Sequence, residues 1–157
     1  MKTFLKTPLG ICSISGNAEG ISEIKILEDD NNDPSESIPG ELQPAVEQLE
    51  QYFSGQRQEF QLKLNPSGTE FQKKVWNALL TIPFGKTYSY QQLSKELGDP
   101  KAIRAVAAAN GKNPLWIVVP CHRVIGSDGS LTGYAGGLWR KKWLLDLENP
   151  PVQQELF

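Results

Sequence analysis

Ser89-Tyr90-Gln91-Gln92-Leu93-Ser94-Lys95-Glu96-Leu97-Gly98-Asp99-Pro100-Lys101-Ala102-Ile103-Arg104-Ala105-Val106-Ala107-Ala108-Ala109-Asn110-Gly111 carries two helical signals with a sharp break between them. Ser89 followed three residues later by Gln92 is the capping-box pattern, and it predicts a helix that ends at Leu97-Gly98. Asp99-Pro100 predicts the next start, with Asp99 as N-cap and Pro100 at the first helical position. That second helix runs through Ile103, Arg104, Val106 and Ala107 to a stop at Asn110-Gly111. Two short helices joined in this way have a helix-turn-helix shape, which is also the shape of a plain helical hairpin. Over Arg104-Ala105-Val106-Ala107-Ala108-Ala109 the second helix offers one basic side chain, Arg104, on a surface of small residues. Such a surface suits a nucleic-acid groove approached by shape and phosphate contact more than the reading of base edges.

Working outward, Phe71, Val75, Trp76, Leu79 and Leu80 form the apolar face of a preceding helix, stopped by Pro83-Phe84-Gly85. Asn65-Pro66-Ser67-Gly68 reads as a linker. Upstream of it, residues 3–6, 11–15 and 21–27 are short β-prone runs that predict a β-meander. Residues 28–34 hold too many like charges to pack, 41–53 predict an amphipathic helix, and 60–64 alternate like a strand. After the helix pair, Leu115-Trp116-Ile117-Val118-Val119 predicts a buried strand that ends at Pro120, and residues 126–129 a turn. Residues 132–137 form a glycine-rich loop, and 138–147 a closing helix with Trp143, Leu144 and Leu147 inward. Its Lys141 and Lys142 are expected to be solvated, and Glu148 by default exposed.

The 157 residues suffice for one full domain or two small ones, and 39% apolar with 22% charged is the balance of a soluble globular chain. Two cysteines, Cys12 and Cys121, and one histidine, His122, exclude a disulfide framework and a Cys/His zinc cluster. No metal or cofactor is expected. Any chemistry that needs an imidazole must use His122. Residues 1–64 hold 5 Lys/Arg against 11 Asp/Glu, a net of −6, whereas 65–157 hold 11 against 7, a net of +4. A polyanion would be met by the second part. The opening residues lack the apolar core of a secretory signal and no stretch reaches bilayer length, so a cytoplasmic protein without membrane contact is expected.

Cys121 sits where an apolar run breaks, beside the sole histidine. A lone cysteine is more often a buried inert thiol, since reactivity requires access and a lowered pKa. Sequence neighbours, moreover, do not necessarily touch.

Pro120-Cys121-His122-Arg123-Val124 resembles the active-site signature of the O6-alkylguanine-DNA alkyltransferases. Other blocks are similar and in the same order: Phe71-Gln72 through Val75-Trp76, Ser89-Tyr90-Gln91-Gln92-Leu93, Arg104-Ala105-Val106, Asn113-Pro114, Gly133-Tyr134-Ala135-Gly136-Gly137, and Trp143-Leu144-Leu145 through Glu148. The resemblance implies an α+β fold. A small antiparallel sheet with a helix, ribonuclease H-like, would occupy residues 1–66. A mainly helical unit with a winged helix-turn-helix-like DNA-binding part would occupy 67–157.

It also implies roles. Cys121 would accept the alkyl group, for displacement at a saturated carbon favours a soft nucleophile. His122 would remove the thiol proton through a water, Glu148 would orient the imidazole, and Asn113 would hold the active-site turn. Tyr134 would hydrogen-bond the guanine and stabilise it as it leaves, with the backbone of Val124 and Ala135 completing the pocket. The target atom is inaccessible in a duplex, so the nucleotide must be flipped out. Arg104 would enter the stack, Tyr90 would displace the adjoining phosphate, and Ala105, Lys101 and Arg123 would complete the DNA contact. The implied partner is double-stranded DNA containing O6-alkylguanine, with O4-alkylthymine as a further substrate, bound by a monomer without an obligate protein partner. Each molecule would react once.

Some members bind zinc through N-terminal Cys and His; Cys12 alone cannot do this. Trp116 is bulky where some members carry a small residue or proline near the pocket wall, which predicts poorer reaction with large adducts. Three rivals remain: a lesion-binding relative without transfer, a helix-turn-helix transcription factor, and a cysteine hydrolase. The first replaces the acceptor cysteine, the second has no use for the cysteine motif, and the third would turn over.

Overall fold

The computed structural model describes residues 1–28, 33–35, 37–131, 134 and 136–150. Three strands, β1 (Lys2–Thr7), β2 (Gly10–Asn17) and β3 (Gly20–Ile26), form an antiparallel meander in that order, as their β-prone runs predict. Leu5 lies opposite Cys12, and Ile14 opposite Ile24. Cys12 and Ile14, on the central strand, are fully buried. The β2–β3 ladder is interrupted by a bulge at Ser15/Gly16, where any side chain on Gly16 would meet the Gly20 carbonyl at 2.6 Å.

A 3-10 turn (Gly40–Leu42) leads into α1 (Gln43–Phe53). Ala45, Val46, Leu49 and Tyr52 recur at helical spacing and make its buried face. The strand expected at 60–64 is not there. Only Leu64 pairs, in an isolated parallel bridge with Ile21, because the backbone bonds offered at that edge are limited to Ile21 N to Lys63 O (2.8 Å) and Asn65 N to Ile21 O (2.8 Å). Of the acidic segment, residues 29–32 lie outside the described residues.

The second half is helical. α2 (Glu70–Leu79) opens with a capping box between Thr69 and Gln72. Val75, Trp76 and Leu79 turn inward, while Phe71 and Leu80, at the rim of the same face, stay exposed. Gly68 fits flat against the Trp76 ring, where a Cβ would meet the indole at 2.5 Å. The short strand β4 (Tyr88–Ser89) precedes α3 (Tyr90–Glu96), and Ser89 and Gln92 form the expected capping box. Asp99-Pro100 does not start the next helix. Asp99 instead closes a turn, accepting Lys101 N on Oδ1 and Ala102 N on its carbonyl, each at 3.0 Å, and α4 (Ile103–Gly111) begins after it. Trp76 Nε1 donates to Ala109 O at 2.8 Å and so locks α2 to the end of α4.

Residues 115–119 are buried, as their composition predicts, but they are not a strand. Only the first part pairs with β3, through Ile24 N to Pro114 O (2.8 Å) and Trp116 N to Ile24 O (3.0 Å). The chain then coils through Val118 N to Trp116 O (2.8 Å) and Val119 N to Leu115 O (3.0 Å), with Ile117 at φ 72°. Positive φ in a β-branched residue is strained and persists only where neighbours impose it. β5 (Val124–Ile125) pairs in parallel with β4, and α5 (Leu138–Glu148) closes the chain. One apolar core, running from Leu5 and Ile24 through Tyr52 and Val75 to Leu144, spans both halves. Among the described residues no helix is long and apolar enough to cross a membrane.

Candidate active site

The coiling of residues 115–119 is what presents Cys121. Asn113 pins it: Oδ1 accepts Leu115 N at 2.9 Å, and Nδ2 donates to Val119 O at 2.8 Å. Pro120 then directs the chain into a 3-10 turn (Cys121–Arg123), all three of whose residues are buried. Burial pushes the Cys121 thiol up, opposed by the Asn113 amide and the positive charge of Lys141.

His122 is fully buried with Nε2 2.6 Å from Glu148 Oε2. Burial alone would raise the Glu148 carboxyl, but hydrogen bonds from His122 and Arg123 hold it down at about 2. An ionised carboxylate only accepts, so the ring proton sits on Nε2. Burial lowers the His122 pKa against the pull of Glu148, which keeps the imidazole neutral. Nδ1 therefore carries a lone pair, and among the described residues it has no hydrogen-bond partner. Glu148, exposed by default but assigned to the imidazole by the resemblance, is buried against His122 because α5 turns residues 141, 144 and 148 to one face.

Two more orphans lie close by. Tyr134, whose charge would be felt at Cys121, and Trp116 Nε1 face each other, and among the described residues neither finds a hydrogen bond of good geometry. The Trp116 ring rests on Phe53, with centroids 6.2 Å apart. Buried polar atoms are nearly always paired, so the bare His122 Nδ1 beside the Cys121 turn, with Tyr134 and Trp116 facing each other close by, leaves polar groups available to a ligand. Val124 is fully buried, its carbonyl taking a 2.6 Å hydrogen bond from Lys141 Nζ. Ala135, Thr132 and Gly133 lie outside the described residues.

Arg123, expected at the DNA surface, is buried. Its Nε and Nη2 grip Glu148 at 2.7 and 3.0 Å and its Nη1 donates to Ile82 O at 2.7 Å, so all three nitrogens are engaged within the core. Lys101, Arg104 and Ala105 are exposed at the start of α4, and Tyr90 is half-buried at the start of α3. The structure thus gathers Cys121, His122, Glu148, Asn113, Tyr134, Trp116 and Val124 in one place and leaves Lys101, Arg104 and Ala105 exposed, with Tyr90 packed against the core.

Two side chains that join this cluster escaped the sequence reading. Lys141 is fully buried rather than solvated; its i, i+3, i+7 spacing with Leu144 and Glu148 was the available signal. Tyr52 OH donates to Glu148 Oε2 at 2.5 Å from across the core, a contact between residues 96 apart that no local pattern announces.

Residues 1–66 match the ribonuclease-like domain of 6-O-methylguanine DNA methyltransferase, and residues 70–150 its DNA-binding domain. A methylated-DNA–protein-cysteine methyltransferase of Mycobacterium tuberculosis is 44% identical over 156 residues, covering 97% of this chain and 94% of that one. One from Methanosarcina barkeri is 46% identical over 148 residues, covering 92% and 94%. The crystal structure of Mycobacterium tuberculosis OGT in complex with DNA superposes with a TM-score of 0.85 at 45% identity, over 94% of this chain and 92% of that one. The O6-methylguanine-DNA methyltransferase of Pyrococcus kodakaraensis gives 0.73 at 26% identity, over 94% and 99%. With Cys121 and a buried imidazole in one turn, and with residues 1–66 and 70–150 matched by its two domains, the chain belongs to the methylated-DNA–protein-cysteine methyltransferase family.

Proposed function

We propose that this chain repairs duplex DNA by moving an alkyl group, mainly methyl, from guanine O6 to Cys121 Sγ, once per molecule. The observation that carries the reading is the buried turn that sets Cys121 next to His122, whose Nε2 is held by Glu148 at 2.6 Å, with Tyr134 near enough for the Cys121 charge to be felt there. The thiol proton passes through a water to Nδ1, and Glu148 stabilises the imidazolium. The thiolate attacks the alkyl carbon, the S–C bond forms as the C–O bond breaks, and the electron pair goes to the guanine. Tyr134 donates a hydrogen bond to the departing base, whose charge then costs less in a dry site. Lys141 and Asn113 offset the burial that works against the thiolate. The product is a thioether that water does not cleave, so the protein is consumed.

Reaching the base requires flipping it from the stack. In this reading Arg104 fills the gap, Tyr90 shifts the adjoining phosphate, Lys101 meets the backbone, and Ala105 lets α4 approach the minor groove closely. The DNA complex of the Mycobacterium tuberculosis relative supports DNA as the partner. Residues 1–66 would act as one unit and 67–157 as the DNA-binding, alkyl-accepting unit, in a cytoplasmic monomer that needs neither cofactor nor metal. O4-alkylthymine is the second substrate.

A lesion-binding protein without transfer is the alternative, and the presence of Cys121 speaks against it. Incubation with an O6-methylguanine duplex, followed by peptide mass spectrometry, should place a single methyl on Cys121 at one equivalent. Cys121→Ala should bind the duplex and take no methyl. Wild-type protein that is folded, binds, and leaves Cys121 unmodified would sink the transfer reading.

A further inference from the structure

Glu148 Oε2 takes three hydrogen bonds: from His122 Nε2 at 2.6 Å, from Arg123 Nη2 at 3.0 Å, and from the Tyr52 hydroxyl at 2.5 Å. The other oxygen takes Arg123 Nε at 2.7 Å and a long contact from Gly85 N at 3.5 Å. The oxygen that orients the imidazole is thus shared with a side chain of α1, on the far side of the core. Tyr52 cannot swing away. It is 1% exposed, and its ring is held by Phe53, Phe60 and Phe84 at centroid distances of 5.6, 5.5 and 6.3 Å. Burial and the Glu148 charge keep its hydroxyl protonated, so it can only donate here.

We propose that Tyr52 is a positioning residue for alkyl transfer: its hydroxyl holds the Glu148 carboxylate in place and limits that carboxylate's pull on His122, so α1 completes the site. The proposal rests on the reading of Cys121, His122 and Glu148 given above. Two donors competing for one carboxylate oxygen each weaken the other's bond, so the strength of the Tyr52 bond sets the basicity of Nδ1 at the far side of the ring. Beyond Tyr52, the groups that bear on His122 and Glu148 are Arg123 from the same turn, Lys141 from α5 and Tyr134 from the loop before it.

Tyr52→Phe keeps the ring and removes only the donor. Its single-turnover transfer rate should fall roughly fivefold. The acid limb of its pH–rate profile should move up by about half a unit, because the freed carboxylate makes the imidazole more basic. In a Glu148→Gln background the same change should have little further effect, as expected of residues that act through one another. His122 is the sole histidine, so its ring N–H is a unique NMR signal, and in Tyr52→Phe it should move downfield whether or not DNA is present. An unchanged ring signal with an unchanged pH profile overturns the proposal. So does a rate loss of equal size with and without the Glu148 carboxylate, which marks Tyr52 as packing alone. Failure of wild-type protein to methylate Cys121 would overturn the transfer reading instead, and the ring signal would still decide the coupling.

Discussion

Arg123 shows how far one side chain's role depends on where its neighbours lie. It is the only permanently charged residue of the signature pentapeptide, and a phosphate contact is the natural expectation for it. Its guanidinium is instead spent on Glu148 and the Ile82 carbonyl. Removing one partner of a buried pair strands the other, so Arg123→Ala should cost about 3–5 kcal/mol in denaturant unfolding. The salt dependence of DNA binding should be unaltered by that change, whereas Lys101→Ala should make it shallower. A shallower salt dependence in Arg123→Ala would return the residue to the DNA surface. Trp116 makes a second residue-scale case. Its ring is packed against Phe53 and cannot easily yield to a bulky adduct. Transfer from O6-benzylguanine should trail transfer from O6-methylguanine by roughly tenfold, and Trp116→Ala should narrow the gap. Equal rates in the wild type would remove Trp116 from the pocket wall.

At the scale of elements, α5 does more than close the fold. One face sends Lys141 Nζ to the Val124 carbonyl, Leu144 into the core and Glu148 to the imidazole. The helix therefore sets a cation near the thiol and an anion behind its base, each one or two turns from the other. Burial lowers the Lys141 pKa, while the Cys121 charge raises it, and the reciprocal effect favours the thiolate. Lys141→Met fills the same volume without charge. The pH at which single-turnover transfer reaches half its plateau should then rise by about one unit, with the plateau itself recovered in alkali. A profile that does not move would show that Asn113 and the backbone alone sustain the thiolate.

The whole molecule is tied together by the same ionic centre. Glu148 joins α5 to α1 through Tyr52 and to the Cys121–Arg123 turn through His122 and Arg123. Both titratable members push stability the same way. His122 is lowered below its ordinary 6.5, so its contribution is complete above that pH and declines below it, where the unfolded chain takes up the proton first. Glu148 is lowered from 4.5 to about 2, so its contribution is complete above 4.5 and is lost as pH falls toward 2. The thermal midpoint should therefore begin to fall below pH 6.5 and fall more steeply below 4.5, with Glu148→Gln flattening the second part. A midpoint constant from 6.5 down to 4.5 would contradict a buried neutral His122.

Local pattern was enough to determine the meander, the amphipathic face of α1, the capping box at Ser89, and the gathering of cysteine, histidine and tyrosine motifs in a familiar order. These features are written in residues a few positions apart, where spacing and backbone preference act directly. The tertiary structure alone decided the rest. Residues 115–119 have the composition of a strand, yet only their start finds an edge to pair with, and Asn113 coils the remainder into the turn that presents Cys121. Asp99-Pro100 has the chemistry of a helix start, yet Asp99 bonds its own turn first. Lys141 and Glu148 have solvated side chains by default, and packing against the turn at Cys121 buried both. Tyr52 reached Glu148 only because the single core folds α1 against α5. Burial and long-range partnership depend on what lies opposite in space, and a linear chain does not encode that locally.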